Sequence, residues 1–194
     1  MGDASARPKA VDGLVLFHGA GGDRDHRLFL ALEDRLDVPV ARINFPYREK
    51  GPGRRPPDRM PKLIETVNAA VEVAARQWAS EAARIVVGGR SMGGRAASMA
   101  IAEGLEAAGL LLLSYPLHPP GTPEKLRVEH LPLVGCPVLL VQGRRDPFGT
   151  PEEFAAHLPS IAGPLTEVWL DGNHDPRPSH DETVLAAVAE WIGA

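Results

Sequence analysis

Six short apolar segments recur along the chain, and their spacing constrains the fold more than any other feature. Neighbouring segments are separated by enough residues for a crossover connection. Uninterrupted apolar runs of this kind are typical of strands that are buried on both faces of a parallel sheet. The predicted strands are 14–17, 38–45, 84–87, 109–114, 137–142 and 165–170. The sequence therefore predicts an α/β fold with a mainly parallel, six-stranded sheet.

Helical patterns occupy several of the connections. Apolar residues recur at helical spacing over 63–78, with Pro61 near the first turn. Capping boxes, in which a hydroxyl residue is followed three positions later by glutamate, predict two further helix starts, at 150–153 and 179–182. The last of these helices carries an apolar stripe that can cover the sheet. We expect a three-layer α/β/α sandwich.

The length of 194 residues suits one domain, 1–194, with a substantial core. We find no internal repeat and no domain linker. Two segments rich in proline and glycine, 46–60 and 115–136, predict long loops. Loops of this length usually border a functional site, so we expect both to wall a pocket.

Charge and cysteine content narrow the range of partners. The formal net charge of −4 gives no reason to expect nucleic acid or an anionic membrane as a partner. Cys136 is the only cysteine, which excludes an internal disulfide, and no Cys/His cluster has zinc-ligand spacing. The chain shows neither a signal-peptide core nor a membrane-spanning apolar run. We expect a cytoplasmic protein without metal or organic cofactor, whose partner is a small molecule; the oligomeric state stays open.

One serine stands between glycines, directly after the third predicted strand. Residues 89–93, Gly-Arg-Ser-Met-Gly, match the nucleophile elbow Gly-x-Ser-x-Gly, in which a strand turns sharply into a helix with the serine at its tip. The following residues, "MGGRAASMAIA", can continue as that helix. Small residues two positions before and after the serine let strand and helix pass without collision. Ser91 is therefore the predicted nucleophile.

A serine needs a base, and the base needs a carboxylate to hold it. Elbow proteins supply them in the order serine, acid, histidine. Asp146 follows the fifth predicted strand and His174 follows the sixth, which satisfies that order. Asp171, Asp175 and His180 compete for the same roles; we prefer His174 because His180 lies at a predicted helix start.

Backbone N–H groups are the expected donors to the oxyanion that forms when a carbonyl is attacked. Met92 N–H, at the start of the elbow helix, is one candidate. The second comes from the loop "FHGAGG" at 17–22, where Ala20 N–H is the candidate and Gly21 N–H the alternative.

The residues around these donors are the expected substrate contacts. They are His18, Gly19, Gly21, Arg90 and Tyr115. The glycines of the loop also fit a phosphate or dinucleotide loop, but the third glycine of the dinucleotide motif and the P-loop lysine are missing.

Together these motifs resemble the α/β-hydrolase superfamily, and within it the small dienelactone-hydrolase-like serine hydrolases, from about residue 11 to 192. "FHGAGG", "GGRSMGG", "VQGRRDPFGTPEEF" and "DGNHD" are also similar to the subunit-three-type proteins of a histone acetyltransferase complex. The resemblance implies the strand order 2-1-3-4-5-6. It also implies a minimal fold without a lid domain, and so a shallow, open site. Dienelactone hydrolases proper use a cysteine nucleophile, whereas this elbow carries Ser91, which argues against the dienelactone reaction.

The predicted function is hydrolysis of a carboxylic ester with a small or exposed acyl group, through an acyl-enzyme on Ser91. Two alternatives remain: thioester or peptide hydrolysis on the same triad, and a binding or scaffold module without turnover. Basic residues crowd two regions, and we expect them to form a solvated surface. A further hypothesis is that some of them select an anionic acyl group. They are Arg42, Arg48, Lys50, Arg54, Arg55 and Arg59, and, beside the motifs, Arg90, Arg95, Arg144 and Arg145.

Overall fold

All six strands of the structure, a computed structural model that describes residues 6–49 and 55–194, form one parallel sheet. The order β2-β1-β3-β4-β5-β6 confirms the one implied by the resemblance. The predicted strand segments all form strands, with bounds that shift by a few residues. The strands are β1 Gly13–Phe17, β2 Val40–Ile43, β3 Ile85–Arg90, β4 Gly109–Leu113, β5 Val138–Gly143 and β6 Leu165–Leu170.

Helices cover both faces of the sheet and complete the expected three layers. One face packs on α3 and α4, and the other on α1 and α6. Alternate residues of a strand point to opposite faces, so in β1 Val15 and Phe17 join one core while Leu14 and Leu16 join the other. This two-sided burial explains why the strands are continuously apolar. The helices are α1 Arg27–Arg35, α2 Pro46–Glu49, α3 Met60–Gln77, α4 Met92–Ala102, α5 Pro151–His157 and α6 Asp181–Ile192.

Of the two predicted capping boxes, only one forms. At the start of α5, Thr150 Oγ1 accepts a hydrogen bond from Glu153 N–H while the Glu153 carboxylate accepts one from Thr150 N–H. The predicted box at 179–182 is wrong, because a 3₁₀ turn over Pro178–His180 moves the start of α6 to Asp181. The Asp181 carboxylate instead binds Arg27 and so joins α6 to α1.

The two predicted loops differ in how irregular they are. The first contains the short helix α2, which was not predicted from the sequence. Residues 50–54, including Lys50 and Arg54, lie outside the described part of the chain. The second, between β4 and β5, contains only a 3₁₀ turn at Leu131–Leu133, and no lid domain interrupts the described chain there. No helix within residues 6–49 and 55–194 has the length and apolar character needed to cross a bilayer.

Candidate active site

Ser91 is the single residue between β3 and α4, and its backbone has φ 51° and ψ −114°. Few residues other than glycine adopt a positive φ, so the chain holds this serine in a strained conformation. Its N–H donates to the carbonyl of Leu113 at the end of β4, and its carbonyl accepts from Arg95 N–H. The strand edge and the first helical turn therefore fix the predicted elbow.

Glycines allow the elbow to pack directly against β1. A Cβ atom placed on Gly89 or Gly93 would overlap the carbonyl oxygen of Phe17. A Cβ on Gly94 would lie 2.8 Å from the carbonyl oxygen of Gly89. These glycines are required because backbone meets backbone, as the motif predicts.

The structure brings Ser91, His174 and Asp146 into one hydrogen-bonded chain. Ser91 Oγ lies 2.9 Å from His174 Nε2, and His174 Nδ1 lies 2.7 Å from Asp146 Oδ2. An ionised carboxylate only accepts hydrogen bonds, so Nδ1 carries the proton and Nε2 accepts from the serine hydroxyl. This tautomer is the one that a general base on Ser91 needs.

The surroundings of Asp146 fix both of its oxygens. Its side chain is fully buried; Oδ2 also accepts from Gln142 Nε2 at 2.7 Å, and Oδ1 accepts from Phe148 N–H at 2.9 Å. The Phe148 ring stacks on the His174 imidazole, with ring centroids 4.1 Å apart. The carboxylate and the imidazole are thus held in place by packing as well as by hydrogen bonds.

The loop after β1 lies beside Ser91 and carries the second predicted oxyanion donor, Ala20 N–H. Tyr47 Oη donates to the carbonyl of Ala20 at 2.9 Å, and burial raises the pKa of Tyr47 to about 12. Met92 begins α4, so its N–H has no carbonyl one turn earlier to bind. Within residues 6–49 and 55–194, no backbone carbonyl accepts from Ala20 N–H. Both N–H groups are free for the oxyanion role, which stays a prediction.

His18, a predicted substrate contact, is buried behind that loop and supports it. The residue is 1% exposed, its Nδ1 lies 2.8 Å from the carbonyl oxygen of Gly19, and its Nε2 accepts from Phe45 N–H. Both bonds require the neutral imidazole, and burial lowers the pKa of His18 accordingly. Gly21 borders a separate cavity that it shares with Ala20.

Arg90 and Tyr115, two further predicted substrate contacts, donate hydrogen bonds to backbone carbonyls of loops beside the site. The Arg90 guanidinium donates to the carbonyl of His174 at 3.2 Å and pairs with Asp175 at 3.0 Å, which draws it towards the loop after β6. A Cβ on Gly19 would lie 3.1 Å from Arg90 Nη1, so this glycine makes room for the side chain. Buried Tyr115 donates from its hydroxyl to the carbonyl of Arg127.

A cavity of about 380 Å³ opens at Ser91. Both predicted loops contribute to its walls, as expected. The catalytic side is formed by Ser91, Met92 and Ala20; apolar walls come from Met60, Leu63, Pro116 and Phe148; the charged groups are Asp58, Arg95 and Arg127.

A family model described as "Alpha/beta hydrolase domain" matches residues 10–190, which is nearly the whole chain. The chain belongs to the α/β-hydrolase family. The membership inferred from the sequence motifs is therefore confirmed, and it supports hydrolase chemistry at the site.

Solved structures agree with this assignment of the α/β-hydrolase domain. TT1662 from Thermus thermophilus is 20% identical, with 97% of this chain and 92% of that chain covered and a TM-score of 0.71. A monoacylglycerol lipase of Paleococcus ferrophilus is 15% identical, with coverages of 94% and 95% and a TM-score of 0.76. A dienelactone hydrolase from Anabaena variabilis is 20% identical, with coverages of 96% and 88% and a TM-score of 0.70. At these identities the likeness establishes a shared fold.

The remaining basic residues of the α/β-hydrolase domain mostly pair on the surface. Arg42 binds Asp25 and Glu33, and Arg48 binds Asp23. Arg145 binds Asp171, and Arg144 lies over the ring of Trp169. These contacts fit the expected solvated surface.

Four side chains that shape the site were not singled out from the sequence. Gln142 lies before Asp146 and Phe148 after it, in the motif "VQGRRDPFGTPEEF". Only the aspartate of that motif was singled out, because it follows a predicted strand. Tyr47 and Arg127 lie in the two irregular loops, where no periodic pattern indicates which residues face inwards. Burial raises the pKa of the Cys136 thiol to about 11, so this cysteine stays protonated and unreactive at neutral pH.

A second Ser–His pair joins α4 to the loop between β4 and β5. Ser98 is fully buried; its Oγ lies 2.7 Å from His130 Nε2 and donates to the carbonyl of Arg95. Burial, with a contribution from the positive charge of Arg95, lowers the pKa of His130 to about 4. The pair ties the loop that walls the cavity to the helix that follows Ser91.

Acidification is therefore expected to destabilise the domain through His130. Between pH 6.5, the ordinary pKa of histidine, and pH about 4, His130 is protonated in the unfolded chain but neutral in the folded chain. The free energy of unfolding then falls as pH is lowered, by up to ~1.4 kcal/mol per pH unit for each such proton. Urea denaturation at several pH values measures this slope.

Replacement of His130 separates its share of that slope. His130→Gln should make the slope shallower without abolishing it, because burial also lowers the pKa of His18 and His26. An equal slope in His130→Gln and the unmodified protein would contradict the assignment.

Proposed function

We propose that this α/β-hydrolase domain is a serine hydrolase that cleaves carboxylic esters with small or exposed acyl groups. The observation that carries the proposal is the continuous hydrogen-bonded chain from Ser91 Oγ through His174 to Asp146. The serine also opens on a cavity, so a substrate can reach it. The cavity volume lies towards the lower end of the range for small-molecule sites, which favours a short acyl chain.

The reaction begins when His174 Nε2 takes the hydroxyl proton of Ser91 and Oγ attacks the ester carbonyl. The carbonyl oxygen gains negative charge and accepts hydrogen bonds from Met92 N–H and Ala20 N–H. Asp146 remains ionised and stabilises the imidazolium. When the C–O bond to the alcohol breaks, Nε2–H returns the proton to the departing oxygen.

Water completes the cycle. His174 Nε2 takes a proton from a water molecule, whose oxygen attacks the acyl carbonyl on Ser91. The second tetrahedral intermediate uses the same two N–H donors, and its collapse releases the acid and restores the Ser91 hydroxyl. The neutral imidazole with its proton on Nδ1 is required at the start of both halves, and the Asp146 carboxylate favours this tautomer over the one protonated on Nε2.

A fluorophosphonate probe tests the proposal, because it reacts with an activated serine and with few other groups. Mass spectrometry should find the label on Ser91, and Ser91→Ala should lose both labelling and turnover of p-nitrophenyl acetate and butyrate. Ser98→Ala is the matched control. Ser98 lies on α4, the helix that follows Ser91, and also contacts a histidine, but it is fully buried. A folded, unlabelled protein that hydrolyses neither ester would overturn the proposal in favour of a binding module.

A further inference from the structure

Two arginine side chains border the same cavity as Ser91. Arg95 lies four residues after Ser91 on α4, and its N–H donates to the Ser91 carbonyl at 3.0 Å, so it stands one helical turn above the serine on the same face. Arg127 belongs to the loop between β4 and β5 and borders the cavity from that side. Two separate elements thus bring positive charge to one small space.

Neither guanidinium has an acidic partner among the residues that the structure describes. The ion pairs formed by residues 6–49 and 55–194 include none with Arg95 or Arg127. The Nε atom of Arg95 is buried and has no hydrogen-bond partner among those residues. Other arginines near the site, such as Arg90 and Arg48, do have carboxylate partners. Among the described residues, the two arginines that line the cavity have no such partner.

The two cations also act on each other unfavourably. Burial, and then the positive charge of Arg95, lowers the pKa of Arg127. An arginine stays charged despite such a shift, so the repulsion persists. An anion placed between the two groups would relieve it.

The one carboxylate on the cavity lining does not neutralise this charge. Asp58 borders the cavity, and its Oδ2 accepts a hydrogen bond from Tyr47 N–H at 3.1 Å. Two cations against one anion leave the lining positive. The remaining wall is apolar, which strengthens the attraction for a charged group by excluding water.

We propose that Arg95 and Arg127 form an anion subsite, and that the natural substrate is an ester that carries a carboxylate near the bond to be cleaved. This inference rests on the proposed ester hydrolysis and names its substrate class. It also narrows the hypothesis drawn from the sequence to two arginines, because Arg90 and Arg144 are engaged elsewhere, at Asp175 and Trp169. The carboxylate can belong to the acyl part or to the alcohol part of the ester, because the cavity that borders Ser91 is not divided into an acyl side and an alcohol side.

Matched pairs of esters test the subsite by turnover. One pair is the mono-p-nitrophenyl ester of adipic acid and its methyl ester, which places the carboxylate on the acyl side. The other is 4-carboxyphenyl butyrate and its methyl ester, which places it on the alcohol side. The ratio of kcat/KM for the charged to the neutral member should exceed about tenfold in at least one pair, the size expected when a buried charged group finds its partner.

Substitutions then assign that ratio to the two arginines. Arg95→Met and Arg127→Met keep an unbranched stem and remove the charged guanidinium, and each should lower the ratio about tenfold or more. Arg95→Lys should recover part of it, which a purely structural role would not. Arg76→Met is the control, because Arg76 lies at the exposed end of α3 and pairs with Glu72. A ratio near one in the unmodified protein, or one that the Met variants leave unchanged, would overturn the subsite.

A binding measurement separates this proposal from the proposed function. Calorimetry with monomethyl adipate and the Ser91→Ala protein should show binding that weakens about tenfold or more when Arg95→Met is added. Binding that depends on Arg95 in a protein that never labels at Ser91 would keep the subsite and reject the hydrolase. Labelling and turnover of neutral esters without any dependence on Arg95 or Arg127 would do the reverse.

Discussion

Asp146→Asn is expected to lower kcat for ester hydrolysis by about four orders of magnitude while the fold stays intact, the loss known for the equivalent change in a Ser-His-Asp protease. The reason lies in the fixed partners of the two carboxylate oxygens. Oδ1 must accept from Phe148 N–H, so the amide oxygen of asparagine takes that place and its NH₂ group faces His174 Nδ1. Nδ1 then accepts, the imidazole proton moves to Nε2, and Nε2 no longer takes the proton of Ser91.

The residues around Asp146 can accommodate the asparagine side chain and its new NH₂ group. Gln142 Nε2 donates to the same carboxylate oxygen, and Gln142 Oε1 is buried without a partner, so a turn of the Gln142 amide would satisfy the new NH₂ group. The variant should therefore fold with a melting temperature close to that of the unmodified protein. The measurement is kcat with p-nitrophenyl butyrate.

Two other aspartates are the controls for that experiment. Asp171 and Asp175 flank the His174 loop and competed with Asp146 in the sequence analysis. Asp171 pairs with Arg145 and Asp175 with Arg90, both at exposed carboxylates. Asp171→Asn and Asp175→Asn should cost less than about tenfold in kcat. A loss in either of them as large as in Asp146→Asn would show that the acid has been misassigned.

Gly93→Ala is expected to destabilise the domain by about 4 kcal/mol or more, at the upper end of what single substitutions do. The new Cβ would overlap the Phe17 carbonyl oxygen and lie 2.8 Å from the His18 carbonyl oxygen, and both are backbone atoms that cannot rotate away. Helix propensity alone predicts the opposite sign, because alanine is favoured over glycine in a helix such as α4 by about 1 kcal/mol. The direction of the change therefore separates the two causes.

Thermal unfolding measures the effect. A loss of this size corresponds to a fall of about 10 °C or more in Tm for a domain of this length, or to failure to obtain folded protein. Gly135→Ala is the matched control, because a Cβ at that position meets no atom within 4 Å. Its Tm should change by no more than about 3 °C. A Gly93→Ala protein as stable as Gly135→Ala would refute the close contact between α4 and β1.

The parts of the fold that could be predicted from sequence are those with a local cause. Strands buried on both faces must be apolar throughout, so β1 and β4 can be recognised in the sequence as uninterrupted apolar runs. The elbow is visible because backbone contact restricts Gly89 and Gly93 to one residue type. Helix α1 was missed because His26 precedes it without a side-chain cap, and its nine residues offer only a short apolar pattern.

The parts that could not be predicted depend on contacts between distant segments. Thr150 and Ser179 begin the same four-residue pattern, but Pro178 starts a 3₁₀ turn that displaces the second box. The order along the chain placed Ser91, Asp146 and His174 after the carboxyl ends of β3, β5 and β6. It carried no information on where long side chains point, so Arg90 was expected in the cavity and Arg127 was overlooked.

Part of the cavity wall lies in segments of the chain that carry no member of the triad. Ser91, Asp146 and His174 follow strand ends that are locked by the sheet, whereas the two loops supply Met60, Pro116 and Arg127, and neither loop carries a member of the triad. Changes in those loops alter which molecules enter without moving the atoms that react. The domain is thus suited to laboratory evolution of new substrate ranges, with randomised libraries confined to 55–60 and 115–136 and the strand ends left untouched.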